Sequence, residues 1–346
     1  MDTLHFAIIG CGAIAEKHGQ ALSRIPGAVI AAVADVREDR ARAFAARYAG
    51  SSRGSTPGRE PLICTDYRPV LDSSDVDAVI VATPSGLHAG IGLDAISAHK
   101  HVLIEKPLTL SSADARALID KAREVGVCLG TVHPNRYYPS SQMAHRAIRE
   151  GRLGTLSHVT ATLRWNRTQA YYDEAPWRKT RAMDGGVLFN QAWHAIDVML
   201  WLAGSPVAEV KGMAARRLHD IETEDVALAV LRFEDGALGI IEATTNVYPR
   251  NLEQTVGAFG GTGTVVLGGT RPEAIRVWKV AGDDEAAVLA QWGEANAPKV
   301  DPSWPHEQVI RSFISAVRAD ATGPLEEVLT AVDAIDLIEK VVADRQ

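Results

Sequence analysis

The first residues in the chain that could do chemistry form a glycine-rich turn after an apolar segment. Gly10 allows a tight turn from strand to helix, Gly12 lets a pyrophosphate approach the backbone, and Ala15 lets the helix pack close to the sheet. The N–H groups at the start of that helix, on Ala13 and Ile14, face the phosphates. This Gly-x-Gly-x-x-Ala spacing predicts a site for a nicotinamide dinucleotide.

An acidic residue at the end of the next predicted strand supports the same interpretation. Residues 28–34 are apolar, follow the predicted helix and lead into Asp35. A carboxylate there can hold the 2′- and 3′-hydroxyls of the adenosine ribose, and it repels a 2′-phosphate, which predicts NAD as cofactor. Arg37 and Arg40 lie just beyond and partly offset that repulsion, so NADP remains the alternative.

Length and composition restrict the class of protein. The 346 residues exceed one ordinary core and predict two domains. A net charge of −7 without any basic run argues against nucleic acid or an anionic membrane as a partner. No apolar stretch approaches the roughly 20 residues that span a bilayer. Three isolated cysteines favour buried thiols in a reducing compartment over disulfides or a metal site, so we expect a cytoplasmic protein without a metal.

Residues 1–133 alternate strand and helix patterns, which predicts an α/β domain with a doubly wound parallel sheet, a Rossmann fold. A polar segment rich in glycine, serine and proline, residues 50–59, predicts a surface loop. The predicted strands are residues 4–9, 29–34, 62–64, 78–82, 101–104 and 127–131.

Residues 134–346 predict a second, α+β domain for substrate binding and oligomerisation. Long alternating segments around the turn Glu234-Asp235-Gly236 indicate a hairpin within an open, mainly antiparallel sheet that has helices on one face. The last helix packs in this domain or back on the N-terminal one. The predicted helices are residues 140–150, 187–203, 305–318 and 324–343.

Five further motifs occur in a fixed order along the chain. They are residues 82–88 (ATPSGLH), 101–107 (HVLIEKP), 133–137 (HPNRY), 177–178 (WR) and 185–197 (GGVLFNQAWHAID). In this order and spacing the sequence resembles the glucose–fructose oxidoreductase/inositol dehydrogenase/MocA (Gfo/Idh/MocA) family of sugar dehydrogenases over nearly its whole length.

Lys106 is the residue to which both the spacing and the resemblance lead. It follows a predicted strand at the edge where doubly wound sheets bind ligands, and Pro107 cannot continue the strand. The resemblance implies that Lys106 contacts the reacting hydroxyl and the cofactor, and that Glu105 lines the nicotinamide site. It also implies cofactor contacts from Thr83, Pro84, His88, Trp177 and Arg178. Placement alone suggests four substrate-lining residues: Asn135, Tyr137, Trp165 and Arg167.

Asn190 and His194 are four residues apart on a predicted helix, so their side chains share one face. Such a pair fits acid–base chemistry at a substrate oxygen, with Asp197 near enough to orient the imidazole. Many family members carry Asp at position 190, and an amide cannot accept a proton. Lys106 and His194 are therefore left to move the proton, with Asn190 on a sugar hydroxyl. The alternatives are a histidine buried for structural reasons and a metal site that lacks a third ligand.

The leading hypothesis is an NAD-dependent oxidoreductase acting on a secondary hydroxyl or ketone of a sugar, nucleotide-sugar or cyclitol. Two alternatives remain open: an NAD-dependent glycosidase that oxidises its substrate transiently, and a catalytically silent sensor of NAD or a sugar. The open face of the second sheet exposes a broad surface unless it is paired, so we expect a homodimer or homotetramer through that sheet.

Overall fold

The computed structural model describes residues 3–48, 60–270 and 272–343, which fold into two compact units. The first unit combines Met1–Pro134 with Asp301–Leu329, and the second combines Asn135–Val300 with Thr330–Gln346. The chain therefore returns to the first unit after leaving it. The surface loop predicted at residues 50–59 lies outside the described residues.

Strands and helices are numbered separately along the chain. The strands are β1 (Leu4–Ile9), β2 (Ala28–Ala34), β3 (Leu62–Cys64), β4 (Ala78–Val81), β5 (His101–Ile104), β6 (Cys128–Thr131), β7 (Leu156–Arg164), β8 (Val207–Ala215), β9 (Val226–Phe233), β10 (Leu238–Thr244), β11 (Glu253–Gly260), β12 (Gly263–Gly269), β13 (Ile275–Val280) and β14 (Gly323–Pro324). The α-helices are α1 (Ala13–Arg24), α2 (Glu38–Tyr48), α3 (Arg68–Leu71), α4 (His88–Ser97), α5 (Ser112–Val125), α6 (Pro139–Arg149), α7 (Gln169–Asp173), α8 (Val187–Asn190), α9 (Trp193–Ala203), α10 (Glu285–Trp292), α11 (Trp304–Arg318) and α12 (Glu326–Ala343).

The sheet of the first unit is parallel throughout, in the order β14-β6-β5-β4-β1-β2-β3. Every residue of β4 and β6 is buried, as expected for strands that helices cover on both faces. The strand order reverses between β1 and β4, and sheets of this kind bind ligands at the carboxyl strand ends beside that reversal. The predicted doubly wound parallel sheet is confirmed.

The helix predicted over residues 324–343 is wrong at its start, because the chain first adds β14 to the edge of this sheet. The N–H of Gly323 donates to Val127 O at 2.8 Å, and that of Leu325 donates to Leu129 O at 2.8 Å. Pro324 has no N–H to offer, which an edge strand tolerates. Sequence pattern alone missed a strand of two residues, and α12 begins only at Glu326.

The sheet of the second unit is mixed and mainly antiparallel, in the order β13-β12-β11-β7-β10-β9-β8. Its one parallel pair among the described strands joins β7 to β10. Burial alternates along β9, and α9 packs against β7 and β11. The predicted open, mainly antiparallel sheet with helical cover is therefore confirmed.

The single helix predicted over residues 187–203 is interrupted. The N–H groups of Gln191 and Ala192 both reach Val187 O, which ends α8, and Ala192 O then accepts from Ala195 and Ile196 to start α9. Two short helices therefore replace one long helix. This break changes the relation between Asn190 and His194, which the sequence placed on one continuous helical face.

All three cysteines are free thiols. Among the helices of the described ranges, none has both the length and the apolar content to cross a membrane.

The glycine turn gives a prediction for stability. Gly10 has φ +92°, and a Cβ added there would lie 2.6 Å from Ala82 O, so Gly10→Ala combines backbone strain with a clash against main chain. We expect it to lower the free energy of unfolding by about 2 kcal/mol or more. Gly12→Ala is the matched control, because a Cβ there meets nothing within 4 Å. Thermal denaturation of both variants tests this, and an equal fall in Tm would contradict it.

Candidate active site

The turn between β1 and α1 has open space where a phosphate would lie. Gly10 N–H donates to Ala34 O at 2.8 Å, which holds the turn against β2. Gly12 is the N-cap of α1, and no described side chain caps this helix end. A Cβ on Gly12 would meet nothing within 4 Å, whereas Ala15 is fully buried against the sheet. Free N–H groups beside open space fit the pyrophosphate of a dinucleotide.

Asp35 is fixed beside that turn by two backbone groups. Its Oδ2 accepts from Cys11 N–H at 2.7 Å, and its Oδ1 accepts from Arg37 N–H at 2.8 Å. The Arg37 guanidinium pairs instead with Asp39, at 2.7 Å on the surface. Burial and the charge of Asp35 raise the pKa of the Cys11 thiol to about 12, so this thiol stays neutral. The arrangement keeps a carboxylate where a ribose hydroxyl would be held.

Lys106 stands out by exposure at the carboxyl edge of the same sheet. Within residues 102–109, all of them described, Lys106 is the one residue that is not buried. Glu105 N–H donates to Val81 O at 2.9 Å, so this segment lies beside the end of β4. The Lys106–Pro107 peptide bond is cis. The structure thus brings the predicted residues Gly10, Thr83 and Lys106 to one edge.

Glu105 points into the core of the first unit. Its Oε1 accepts from His18 Nε2 at 2.7 Å, and its Oε2 accepts from Lys106 N–H at 3.0 Å. Its side chain is 5% exposed and that of His18 is 0% exposed. Burial opposes ionisation, but the hydrogen bond and charge of His18 prevail and lower the pKa of Glu105 to about 2. The nicotinamide-lining role that the resemblance gives Glu105 stays a prediction.

A second buried histidine, His88, joins two segments of this edge. Its Nδ1 lies 2.7 Å from Pro107 O and its Nε2 lies 3.0 Å from Thr83 O. Burial lowers the pKa of His88, which disfavours the form that could donate to both carbonyls at once. His88 therefore lies between the segment after β4 and the segment after β5, and as a neutral ring it donates to one of the two carbonyls. Its contact with the cofactor stays a prediction.

In the second unit, two polar side chains stand out from a buried segment. Within residues 184–200, all described, Asn190 and His194 alone escape full burial. They lie on successive helices, α8 and α9, so the prediction of one continuous helical face is wrong. His194 lines a small cavity together with Asn135, another predicted substrate residue. The other lining residues are Ser141, Val198, Gln254, Val256, Leu267, Gly268 and Pro272.

Asp184 orients Asn190, and sequence reasoning missed it. The Nδ2 of Asn190 donates to Asp184 Oδ1, and Gly186 N–H donates to Asp184 Oδ2 at 3.3 Å. Asp184 is 2% exposed. Because the carboxylate only accepts, it turns the amide nitrogen of Asn190 toward itself and the amide oxygen away. Asn190 can thus offer an acceptor to a hydroxyl. The available signal was an acid directly before Gly185-Gly186.

Asp197, expected to orient the imidazole, forms a buried ion pair with Arg136. Arg136 Nε donates at 3.1 Å and its Nη2 at 2.5 Å to Asp197 Oδ1, and Nη2 also donates to Thr330 Oγ1 at 2.6 Å. The Arg136 guanidinium lies 5.7 Å from the ring centre of Trp201. Arg136 thereby ties residues 134–137 to α9. This tie sets Asn135 beside the cavity that His194 lines.

The remaining predicted residues gather around Tyr171. The Arg167 guanidinium lies 4.7 Å from the ring centre of Trp165 and 5.0 Å from that of Tyr171. Arg178 lies 4.3 Å from Tyr171 and 5.6 Å from Trp177. Trp165, Trp177 and Arg178 therefore share one stack of cations and aromatic rings. They are not among the residues that line the His194 cavity.

A third imidazole, His306 on α11, gives a pH prediction. Burial lowers its pKa to about 3. The unfolded chain binds this proton more readily than the folded one. The contribution of His306 to the free energy of unfolding is therefore complete above about pH 6.5 and falls toward pH 3, by up to about 1.4 kcal/mol per pH unit. In His306→Phe, the free energy of unfolding measured by urea denaturation should fall less steeply between pH 6.5 and pH 4 than in the wild type. His99→Asn, at an exposed histidine with φ +57°, is the control. If the free energy of unfolding changes with pH equally in wild type and His306→Phe, the prediction is wrong.

Two protein-family models match this chain, one after the other along the sequence. The model for the oxidoreductase family with an NAD-binding Rossmann fold matches residues 4–133, and the GFO/IDH/MocA C-terminal domain matches residues 141–266. The myo-inositol 2-dehydrogenase of Thermotoga maritima is 26% identical over 292 residues, covering 83% of this chain and 81% of that protein. The uncharacterized oxidoreductase YrbE of Bacillus subtilis is 28% identical over 275 residues, covering 78% and 75%.

Among solved structures, the WlbA dehydrogenase from Bordetella pertussis, in complex with NADH and UDP-GlcNAcA, superposes with a TM-score of 0.84. The sequences are 30% identical, and the match covers 99% of this chain and 97% of the other. Both family models, the glycine turn and the lysine at the sheet edge indicate the same family. This chain belongs to the Gfo/Idh/MocA family of oxidoreductases, with an NAD-binding Rossmann domain followed by the C-terminal domain of that family.

Proposed function

We propose that this protein is a dehydrogenase that transfers a hydride between NAD and a secondary hydroxyl or ketone of a sugar, nucleotide-sugar or cyclitol. The observation that carries the proposal is that Lys106 alone is partly exposed in an otherwise buried segment, at the same sheet edge as the glycine turn and Asp35. Two similar proteins support this substrate class: one is named a myo-inositol 2-dehydrogenase, and the other is a dehydrogenase solved in complex with UDP-GlcNAcA.

The cofactor-binding residues have separate tasks in this proposal. The N–H groups at the start of α1 hold the pyrophosphate, and Gly12 leaves the room for it. Asp35, already aligned by Cys11 N–H and Arg37 N–H, accepts from the ribose hydroxyls through its remaining lone pairs. When bound, NAD supplies the hydride acceptor for oxidation of the hydroxyl.

We assign the proton transfer to Lys106 and His194. In oxidation, neutral Lys106 accepts the proton of the reacting hydroxyl at Nζ, and in reduction its ammonium donates one. Imidazole can exchange a proton near neutral pH, which fits His194 for the same work. Asn190 presents its amide oxygen to a second hydroxyl of the substrate, because Asp184 holds its amide nitrogen. Asn135 adds an amide to the cavity beside His194.

Turnover of a substrate panel tests the proposal. The protein is incubated with NAD and, in turn, with hexoses, inositols and UDP-sugars, while NADH absorbance is followed. We expect at least one substrate to give stoichiometric NADH, and Lys106→Ala to lower kcat by about 10²-fold or more while NADH affinity stays within about threefold. Lys121→Ala removes a half-buried lysine on α5 that pairs with Glu124, and it serves as the control.

Two results would contradict this assignment. An active wild type whose kcat survives Lys106→Ala would remove the lysine from the chemistry. Cleavage of a glycoside without net NADH would favour the glycosidase alternative instead.

An apolar patch on the second sheet supports our proposal that the protein forms a homo-oligomer, a dimer or tetramer. Adjacent strands place Met213 opposite Leu228 and Val230 opposite Ile240, and all four side chains are between 47% and 69% exposed. An exposed apolar cluster of this kind on a sheet face is typical of a contact between protein surfaces. A second copy can present the same patch, as a two-fold interface requires.

Val230→Asp together with Ile240→Asp should dissociate the oligomer. Two buried carboxylates facing their symmetry mates repel each other and lose hydration, which opposes association. Sedimentation velocity compares this variant with wild type, and Val36→Asp, at a residue 88% exposed in the first unit, is the control. A wild-type monomer, or an oligomer unchanged by both substitutions, would contradict the proposal.

A further inference from the structure

The segment Glu105-Lys106-Pro107 is held on both sides of the lysine by buried histidines that the proposed chemistry does not use. His18 comes from α1 and is 0% exposed, while His88 begins α4 and is 1% exposed. Each contacts a different neighbour of Lys106. We refer to these two contacts as the histidine clamp.

The first arm of the clamp runs through Glu105. His18 Nε2 donates to Glu105 Oε1 at 2.7 Å, and the other carboxylate oxygen accepts from the N–H of Lys106 at 3.0 Å. One buried carboxylate thus connects α1 to the backbone of the lysine. The Nδ1 of His18 has no hydrogen-bond partner among the described protein groups, so the polar contact of this ring is directed at Glu105.

The second arm runs through Pro107. His88 Nδ1 lies 2.7 Å from Pro107 O, and its Nε2 lies 3.0 Å from Thr83 O. A neutral imidazole has one N–H and can donate to only one of these two carbonyls, and the shorter distance favours Pro107 O, the carbonyl of the residue after Lys106. Because proline has no N–H, its carbonyl is the one backbone hydrogen-bonding group by which residue 107 can be held.

We propose that His18 and His88 are positioning residues for Lys106, acting through the Glu105 carboxylate and the Pro107 carbonyl. The inference rests on the proposed function, in which Lys106 exchanges a proton with the reacting hydroxyl. Neither histidine reaches the reacting atoms in this scheme. They fix the main chain on both sides of the lysine, and so fix where its side chain starts.

The physical need for such a clamp follows from the lysine side chain itself. Four rotatable bonds separate Nζ from the backbone, so the position of the amine depends on a rigid origin. A displacement of about 1 Å at a catalytic group can cost about 10²-fold in rate. Buried hydrogen bonds to a carboxylate are short and directional, which makes them suited to holding that origin.

Of two neighbouring histidines, one provides a matched control. His306 Nε2 lies 3.7 Å from Glu105 Oε1, beyond hydrogen-bond distance, and its ring packs edge-on against His18 with centres 5.4 Å apart. His101 begins β5, at the opposite end of the strand that leads to Lys106, and its Nδ1 accepts from Cys128 N–H at 3.1 Å. His306 therefore contacts both members of the first arm, whereas His101 hydrogen-bonds none of residues 105–107 and serves as the control for stability.

The test compares His18→Phe and His88→Phe with His18→Gln, which keeps an N–H donor, and with His101→Phe. We expect the two Phe variants of the clamp to lower kcat by about 10²-fold, and His18→Phe to leave KM and NADH affinity within about threefold. His18→Gln should recover at least a tenth of wild-type kcat. His101→Phe should lower Tm without lowering kcat. Hydrogen exchange of the Lys106 amide is the second readout, and His18→Phe should accelerate it.

The outcomes separate the clamp from the proposed function. If Lys106→Ala keeps its kcat, the proposed function fails. The clamp is then judged by hydrogen exchange alone, and an unchanged exchange rate of the Lys106 amide in His18→Phe overturns it. If Lys106→Ala loses turnover while the clamp variants keep theirs, the clamp alone is overturned. If His18→Phe does not fold, His18→Gln is compared with His18→Asn, whose side chain is shorter. A lower kcat for His18→Asn than for His18→Gln supports the clamp, and equal kcat values overturn it.

Discussion

The buried carboxylate of Glu105 is the constraint on which the first unit depends. An ionised group in a core must be paired and hydrogen-bonded, since its desolvation otherwise costs several kcal/mol. Helix α1 meets this need with His18, and the backbone of Lys106 meets it with an N–H. The same helix starts at the glycine turn. The packing of α1 on the sheet therefore sets both the phosphate-binding end and the lysine segment.

Buried acids organise the second unit in a comparable way. Asp197 pairs with Arg136, and through that pair residues 134–137 are held to α9. Asp184 holds the amide of Asn190 and the N–H of Gly186. In each case a buried carboxylate lies close to a half-buried amide side chain, Asn135 beside Arg136 and Asn190 beside Asp184. The half-exposed residues of this unit are thus placed by the fully buried ones.

Asn190 shows how a departure from the family pattern is accommodated. An amide at this position cannot replace the proton-accepting carboxylate found in many members. The structure nonetheless supplies a carboxylate next to it, on Asp184, which is six residues earlier in the chain and 2% exposed. The charge is present but lies behind the amide, so Asn190 is oriented as a hydrogen-bond acceptor. Local sequence at position 190 shows the loss of the acid, and only the fold shows its neighbour.

The sequence by itself determined the features that depend on short-range geometry and periodicity. The glycine turn, Asp35 at the end of β2 and the alternating sheet of the second unit all follow from spacing along the chain. Contacts between distant segments required the tertiary structure: Glu105 with His18, Asp197 with Arg136, and β14 beside β6. Pairing of buried charges depends on which elements pack together, and no local pattern encodes that choice.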